Sequence, residues 1–327
     1  MKFIEHVEGG GPDSLTISNT DIPELKPNHV LVKVAYFGIN RADTMQRQGK
    51  YPAPPHESKI LGLEVSGEIT AIHDEQSAPH NVKLGHEVFG LVAGGGYAEY
   101  VLINTEHVMV VPENISLAQA AGIAECFLTA YQALFIESNL LPKQHVLIHA
   151  GASGVGLAAI QLAKLHRAFI ATTASSESKL ALCNKLGADL LINYKHQDFF
   201  KEIKGNWQGC DLVVDFIGGD YLNRNLQLLN TDGSILYLAM LAGRYADGLD
   251  MALLLGKRAN IKGSTLRNRS NIYKTQLIKK FTKAHLADFS NGSLTSIIDT
   301  EYSAAKLAEA HQRMENNDTQ GKLVVGW

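Results

Sequence analysis

The stretch His149-Ala150-Gly151-Ala152-Ser153-Gly154-Val155-Gly156 decides the fold. It follows an apolar, strand-like run, Val146-Leu147-Ile148, and precedes a helix-like run from Leu157 to Leu165. A backbone that passes beneath a pyrophosphate needs glycine wherever a Cβ would collide. The helix that follows offers unpaired N–H groups and the positive end of its dipole. Gly151, Gly154 and Gly156 meet that demand. Gly151 and Gly156 match the first and last positions of the dinucleotide fingerprint, and Ser153 stands in place of its middle glycine.

Downstream of about Ala130 the chain alternates apolar strand and amphipathic helix. The strand candidates are 145–150, 169–174, 190–194, 210–217, 234–241 and 260–265. Six strands with crossovers predict an α/β, doubly wound parallel sheet. Upstream, from Met1 to about Ala121, the texture differs. Short alternating segments such as Val30-Leu31-Val32-Lys33-Val34 are broken by Gly9-Gly10-Gly11, Pro52 to Pro55 and Gly94-Gly95-Gly96, which predicts many short strands joined by turns. The last sixty or so residues predict a long helix near 270–289, a strand near 297–302, a helix near 304–316 and a final strand at Leu323-Val324-Val325.

At 327 residues the chain exceeds the size at which one core keeps growing, so two domains are expected. A formal net charge of −3 gives no reason to expect nucleic acid or a membrane surface as partner. The amino end, Met1-Lys2-Phe3-Ile4-Glu5-His6, lacks the apolar core of a signal peptide, and the expected location is the cytoplasm. Cys126, Cys183 and Cys210 are widely spaced and odd in number, and read as buried reduced thiols.

The second strand of such a unit tells the two nicotinamide cofactors apart, because an acid at its tip accepts from the adenosine ribose hydroxyls. Here the strand ends Thr172-Thr173-Ala174-Ser175 with no acid. Ser176-Glu177-Ser178-Lys179 follows, with hydroxyls at a helix start and a lysine one turn in. Ser175 and Lys179 therefore suit a 2′-phosphate, with NADPH as the expected cofactor. Glu177 opposes this only if it points inward. The alternative reading makes Ser175 a helix cap and Lys179 a solvated face.

Motifs over nearly the whole length carry a resemblance. They include Gly38-Ile39-Asn40-Arg41-Ala42-Asp43, Gln48-Gly49-Lys50-Tyr51, Gly62-Leu63-Glu64-Val65-Ser66-Gly67 and Leu128-Thr129-Ala130. They continue with the glycine turn, Lys185-Leu186-Gly187-Ala188, Asn193-Tyr194-Lys195, Asp215-Phe216-Ile217-Gly218-Gly219, Leu266-Arg267-Asn268-Arg269 and Gly321-Lys322-Leu323-Val324. In order and spacing the chain resembles the zinc-free medium-chain dehydrogenases/reductases of the quinone oxidoreductase type, most closely the p53-inducible quinone oxidoreductase group.

That resemblance implies a GroES-like, β-rich catalytic domain over 1–123 and 267–327, a Rossmann NADP-binding domain over 124–266, and an active site in the cleft. By matching position it places Ser153, Gly154 and Val155 along the pyrophosphate, and Ser175, Lys179 and Tyr194 at the 2′-phosphate and adenine. Thr129, Ile217, Gly218, Met240, Leu241 and Leu266 fall along the ribose and nicotinamide. Lys322 closes the cofactor cleft from the carboxyl end. Relatives commonly carry asparagine two residues before Gly321, where this chain has Thr319. The family habit of continuing the Rossmann sheet across a two-fold axis implies a homodimer, with Asn260-Ile261-Lys262-Gly263 at the edge.

Zinc-dependent relatives place a cysteine where this chain has Asn40 and a histidine where it has Leu63, and neither substitute suits zinc. Gly85-His86-Glu87 has the look of a zinc-site tripeptide, but it falls on a strand entry and reads as a turn histidine, so no metal is expected. Without a metal to polarise a carbonyl, the acceptor must delocalise charge itself, as a quinone or a conjugated alkene does. The expected activity is NADPH-dependent quinone reduction. The alternatives are an NADPH-dependent alkenal or enone reductase, or a low-turnover NADPH-binding structural or sensor protein. Tyr51 is the leading pocket residue, offering an apolar wall and a hydroxyl donor. Asn40 and Asp43 are placed at the pocket floor as further catalytic candidates. Arg267 and Arg269 either draw the substrate oxygen or brace their loop.

Overall fold

The computed structural model describes residues 1–74, 79 and 82–327. The chain divides into two compact units, one built from Met1–Leu128 and Leu266–Trp327 and the other from Thr129–Thr265.

The second unit is a six-stranded, all-parallel sheet. Its spatial order is Leu190–Asn193, Phe169–Ala174, His145–Ile148, Cys210–Asp215, Leu229–Tyr237 and Asn260–Gly263. The order reverses at the central pair, His145–Ile148 beside Cys210–Asp215, which is the switch point of a doubly wound sheet. Leu147, Ala171, Val213 and Ile235 stand in register across four strands and, with Ile192 on a fifth, share a buried core with Phe199, Ile203 and Leu226. Such residues are buried because each apolar side chain removed from water contributes roughly 1.5 to 3 kcal/mol.

Several boundaries differ from the sequence reading by one to five residues, the following three among them. The helix after the glycine turn begins at Gly154, not Leu157, because Ser153 caps it. The fourth sheet strand stops at Asp215, whose carboxylate accepts from the N–H groups of Ile217 and Gly218 and turns the chain. The fifth runs Leu229–Tyr237, so Met240 and Leu241 lie beyond it in an exposed connection.

In the first unit, seven strands form an almost wholly antiparallel sheet. The order is Ile298–Ser303, Lys322–Gly326, His29–Ile39, Glu64–Ile72, Glu87–Leu91 and Val108–Val110, with Tyr100–Asn104 also paired to His29–Ile39. The carboxyl-terminal strand thus lies directly against the long amino-terminal one, with Leu323 opposite Ile39. Val30, Val32 and Val34 alternate inward along His29–Ile39, as a half-buried strand requires, and join a core containing Phe37, Val65, Tyr97 and Val325. Phe37 and Tyr97 stack at 4.4 Å between ring centroids.

Gly62 shows how closely this unit is fitted. Its φ is +101°, and an added Cβ would meet Gly96 Cα and Tyr97 N, both at 2.7 Å. Gly62→Ala is expected to destabilise the protein by about 2 to 4 kcal/mol, since backbone strain and overpacking act together. Urea unfolding of the purified variant measures this, and a midpoint equal to that of the wild type refutes it.

Candidate cofactor cradle and catalytic pocket

In the Thr129–Thr265 unit, the glycine turn is held by a buried polar chain. His149 Nε2 lies 3.0 Å from Asn225 Oδ1, and Asn225 Nδ2 donates to Asp215 Oδ2 at 2.8 Å. The amide oxygen can only accept, so His149 carries its proton on Nε2 and accepts at Nδ1 from Thr173 Oγ1, 3.1 Å away. Burial lowers the His149 pKa and keeps the ring neutral. This chain ties the tips of three adjacent strands together.

The turn itself has no room for larger residues. A Cβ on Gly151 would strike Thr172 Oγ1, and one on Gly156 would lie 2.5 Å from the Ala150 carbonyl oxygen. Ala150 takes the left-handed conformation, at φ 50°. Ser153 Oγ accepts from Gly156 N–H at 3.1 Å. A helix start leaves its first N–H groups without backbone partners. With Gly156 satisfied by the cap, the N–H groups of Gly154 and Val155 have no partner among the described residues. Two aligned donors at a helix start form an anion site.

At the tip of Phe169–Ala174 the helix cap is Ser176, whose hydroxyl accepts from Lys179 N–H at 3.4 Å. Ser175 is therefore not the cap. Glu177 Oε1 accepts from Asn193 Nδ2 at 2.8 Å, which commits the one nearby acid to the neighbouring strand. Tyr194 follows that strand with its side chain about half exposed. Thr129 Oγ1 is buried without a hydrogen-bond partner among the described residues. Gly218 sits at φ +69° in the turn set by Asp215. A glycine cradle, two donor N–H groups and an orphaned buried hydroxyl fit a dinucleotide.

In the other unit, the predicted floor residues meet in a buried cluster. Lys322 Nζ donates to Ile39 O at 2.8 Å and Asn40 Oδ1 at 2.7 Å, and pairs with Glu64 Oε1 at 2.6 Å. These three contacts commit all three ammonium hydrogens. Asn40 Nδ2 donates to the same Glu64 oxygen at 3.0 Å. Glu64 Oε2 accepts from Glu125 N–H at 2.9 Å, at the start of helix Ala124–Tyr131. Burial opposes charge on Lys322, but its interactions with Cys126, Glu64 and Asp43 outweigh this and hold the ammonium above its ordinary pKa. Burial pushes the Cys126 thiol up to about 12.

Asp43 extends the cluster. Its carboxylate accepts from Asn40 N–H at 2.7 Å, Gly62 N–H at 3.2 Å and Tyr97 Oη–H at 3.2 Å. Tyr97 Oη lies 3.0 Å from His311 Nε2, and Arg47 Nη1 lies 2.8 Å from His311 Nδ1. Arginine only donates, so His311 Nδ1 accepts and its Nε2–H donates to Tyr97. Burial, with Arg47 and His6 adding to it, brings His311 down to about 3. Burial raises Asp43 to about 6 against the pull of its donors. Sequence reading placed Asn40, Asp43 and Lys322, but not Glu64, Tyr97, Arg47 or His311 as their partners. Glu64 lay inside a quoted motif. The others carry no local signal.

Tyr51 stands apart from this cluster, with the Arg267 guanidinium 5.5 Å from its ring centroid. Arg267 and Leu266 line a cavity with Glu125, Glu57, Lys274, Asn271, His107 and the segment Leu91 to Gly94. Arg267 Nε donates to Ala93 O at 2.8 Å and Nη2 to Gln46 Oε1 at 2.7 Å, so the residue does brace its loop. Its Nη1 is buried and has no hydrogen-bond partner among the described residues. His86 lies just before Glu87–Leu91. Among the described residues no group of three or more His, Cys, Asp or Glu side chains is placed to hold a metal ion, and no helix is long and apolar enough to cross a membrane.

Two family models match the chain: an alcohol dehydrogenase GroES-like domain over residues 26–113 and a zinc-binding dehydrogenase domain over residues 154–283. The quinone oxidoreductase of Homo sapiens is 29% identical over 330 aligned residues, covering 99% of this chain and 97% of that protein. The crystal structure of Escherichia coli quinone oxidoreductase complexed with NADPH superposes with a TM-score of 0.88 at 27% identity, with all of both chains covered. The chain belongs to the medium-chain dehydrogenase/reductase family, in its quinone-oxidoreductase branch. The CurK enoyl reductase shares the fold with a TM-score of 0.86 at 25% identity, covering 99% of this chain and 98% of that one. The family model named for zinc binding matches a chain in which the Asn40 side chain is hydrogen-bonded through both its nitrogen and its oxygen and Leu63 is buried.

Lys322→Met is expected to destabilise the protein by about 3 to 5 kcal/mol, because it leaves Glu64 buried without its counter-charge. Urea unfolding at pH 7 measures this, and a loss below about 1 kcal/mol would show that the pair is not the anchor described.

Proposed function

We propose that this chain is an NADPH-dependent quinone reductase that acts without a metal. The observation that carries the reading is the Lys322–Glu64–Asn40 cluster. Asn40, where zinc-dependent relatives carry cysteine, is committed to Lys322 and Glu64, and Leu63, where they carry histidine, offers no donor atom. An acceptor in such a site must spread its own charge, which a quinone does on becoming aromatic.

When bound, the reduced nicotinamide supplies the hydride. The N–H groups of Gly154 and Val155 are suited to the pyrophosphate, with Ser153 acting through its cap on Gly156. Ser175, left out of the cap, and Lys179 suit the 2′-phosphate, and Tyr194 the adenine end. The diversion of Glu177 to Asn193 removes the carboxylate that would oppose that phosphate. Thr129 Oγ1, with Ile217, Gly218, Met240, Leu241 and Leu266, is assigned to the ribose and nicotinamide. Lys322 serves by fixing Asn40, since no ammonium hydrogen is left for a ligand. Asp43 serves by fixing Asn40 and Gly62.

Tyr51 supplies a wall for the quinone, and burial keeps its phenol protonated with Glu125 reinforcing the effect. The Arg267 Nη1 donor suits a substrate oxygen. The exposed edge strand Asn260–Gly263 suits pairing with a second copy of the chain. The similarity to an enoyl reductase supports a second reading, in which the acceptor is a conjugated enal or enone.

NADPH oxidation followed with 1,4-quinone, ortho-quinone and enal acceptors separates the two readings. Quinone turnover well above enal turnover is expected, and the reverse order overturns the quinone assignment. Lys179→Ala is expected to raise the NADPH Kd about tenfold, or about 1.4 kcal/mol, and to leave the NADH Kd unchanged. Calorimetric titration with both cofactors reads this, and equal weakening of the two removes Lys179 from phosphate recognition.

A further inference from the structure

We propose that Glu125 is the acid that protonates the reduced substrate, with Arg267 Nη1 holding the substrate oxygen beside it. The inference rests on the reductase reading above and identifies the proton source for it.

Glu125 sits in the first turn of helix Ala124–Tyr131. Its N–H is fixed by Glu64, and its own carboxyl has no hydrogen bond or ion pair to another described residue. That carboxyl lines the same cavity as Arg267. Two of the cationic or titratable cavity groups are committed elsewhere. Lys274 Nζ donates to Arg267 O at 2.8 Å, and His107 Nε2 lies 3.3 Å from Asn271 O, which fixes its proton there. Burial brings His107 down to about 4, so it is neutral near pH 7. The cavity therefore presents one buried donor without a partner, Arg267 Nη1, and two carboxyls, Glu125 and Glu57, of which Glu57 is exposed and Glu125 is the more enclosed. Tyr51 lies near both groups, since Glu125 and Arg267 each act on the pKa of its phenol, in opposite directions.

The groups facing Glu125 come from every element around it. Burial has the largest effect on its acidity. Glu64 on strand Glu64–Ile72 and Asp43 on helix Arg41–Arg47 push in the same direction, while Lys322 on the last strand and Lys274 on helix Asn271–Ser290 pull back. The net result is a carboxyl raised to about 8, hence protonated at neutral pH. An acid with a pKa near the working pH is well matched to proton transfer.

The step balances as follows. Hydride addition carries two electrons to the quinone and leaves a hydroquinone monoanion, whose charge rests beside the Arg267 guanidinium. The Glu125 O–H bond breaks, a new substrate O–H bond forms, and the carboxylate left behind is reprotonated from solvent. An enolate formed from an enone would take its proton in the same way.

Glu125→Gln tests this, because it keeps the shape and removes the acid. The wild type is expected to lose kcat as pH rises through about 8, and E125Q to lose that limb with kcat down on the order of 100-fold. Independently of turnover, ¹³C-carboxyl NMR of the cofactor-free protein is expected to show a glutamate titrating near 8 that vanishes in E125Q. Glu125→Asp keeps a carboxyl and is expected to retain the pH limb, and it carries the test if E125Q does not fold. An E125Q enzyme with wild-type kcat and pH profile overturns the inference, as does an E125D enzyme without the limb. A Glu125 carboxyl that titrates in the ordinary range near 4 to 5 also overturns it. A wild-type protein inert toward quinones and enals overturns the reductase reading and this step with it. Quinone turnover with an unaltered E125Q overturns this step alone.

Discussion

The Lys322–Glu64 ion pair, with Asn40 bonded to both partners, is the constraint on which the GroES-like unit depends. It joins the last strand of the chain to the end of strand His29–Ile39, the start of strand Glu64–Ile72 and the start of helix Ala124–Tyr131. Taking two charges out of water costs several kcal/mol each, and their attraction repays this only when the remaining lone pairs and protons are also satisfied. Here every ammonium hydrogen and both Glu64 oxygens have partners. Such a pair contributes geometry more than net stability. It sets where Asn40, Asp43 and Glu125 stand.

From that pair the order spreads through Asp43. One end of the Asp43 network fixes Gly62, a residue that tolerates no Cβ. The other runs through Tyr97 and His311 to Arg47. Each member has a single assignable role, because Arg47 can only donate and the Asp43 carboxylate accepts from three groups. The cofactor unit uses the same device on a smaller scale. His149, Asn225 and Asp215 hold the glycine turn and the Gly218 turn in register. In both units, buried polar chains position main-chain groups that a ligand can use.

The sheet of the cofactor unit was legible in the sequence because its strands are short apolar runs punctuated by glycine and polar turns. The glycine turn was legible for the same local reason. Boundaries failed where a side chain decided them: Ser153 draws the helix start back to Gly154, Ser176 takes the cap that Ser175 was considered for, and Asp215 ends its strand early. The site was legible only in part. Asn40, Asp43 and Tyr51 stand in motifs, and Arg267 was singled out with its role open. Glu125, the proposed proton donor, gave no signal, since burial, Glu64 and Asp43 raise its pKa against the pull of Lys322 and Lys274, and no local pattern connects those residues to it. The Lys322–Asn40 contact spans 282 residues of sequence, and the Arg47–His311 contact spans 264. Contacts of that range follow from the fold and cannot be read from spacing.

A floor organised by a buried ion pair, with no ligand set for a metal at Asn40 and Leu63, predicts catalysis that does not depend on bound metal. The direct measurement is kcat/KM for NADPH oxidation with a 1,4-quinone before and after exhaustive dialysis against a chelator, with metal content determined on the same samples. Unchanged turnover in protein stripped of metal is the predicted result. Turnover that disappears on stripping and returns with added zinc would contradict it.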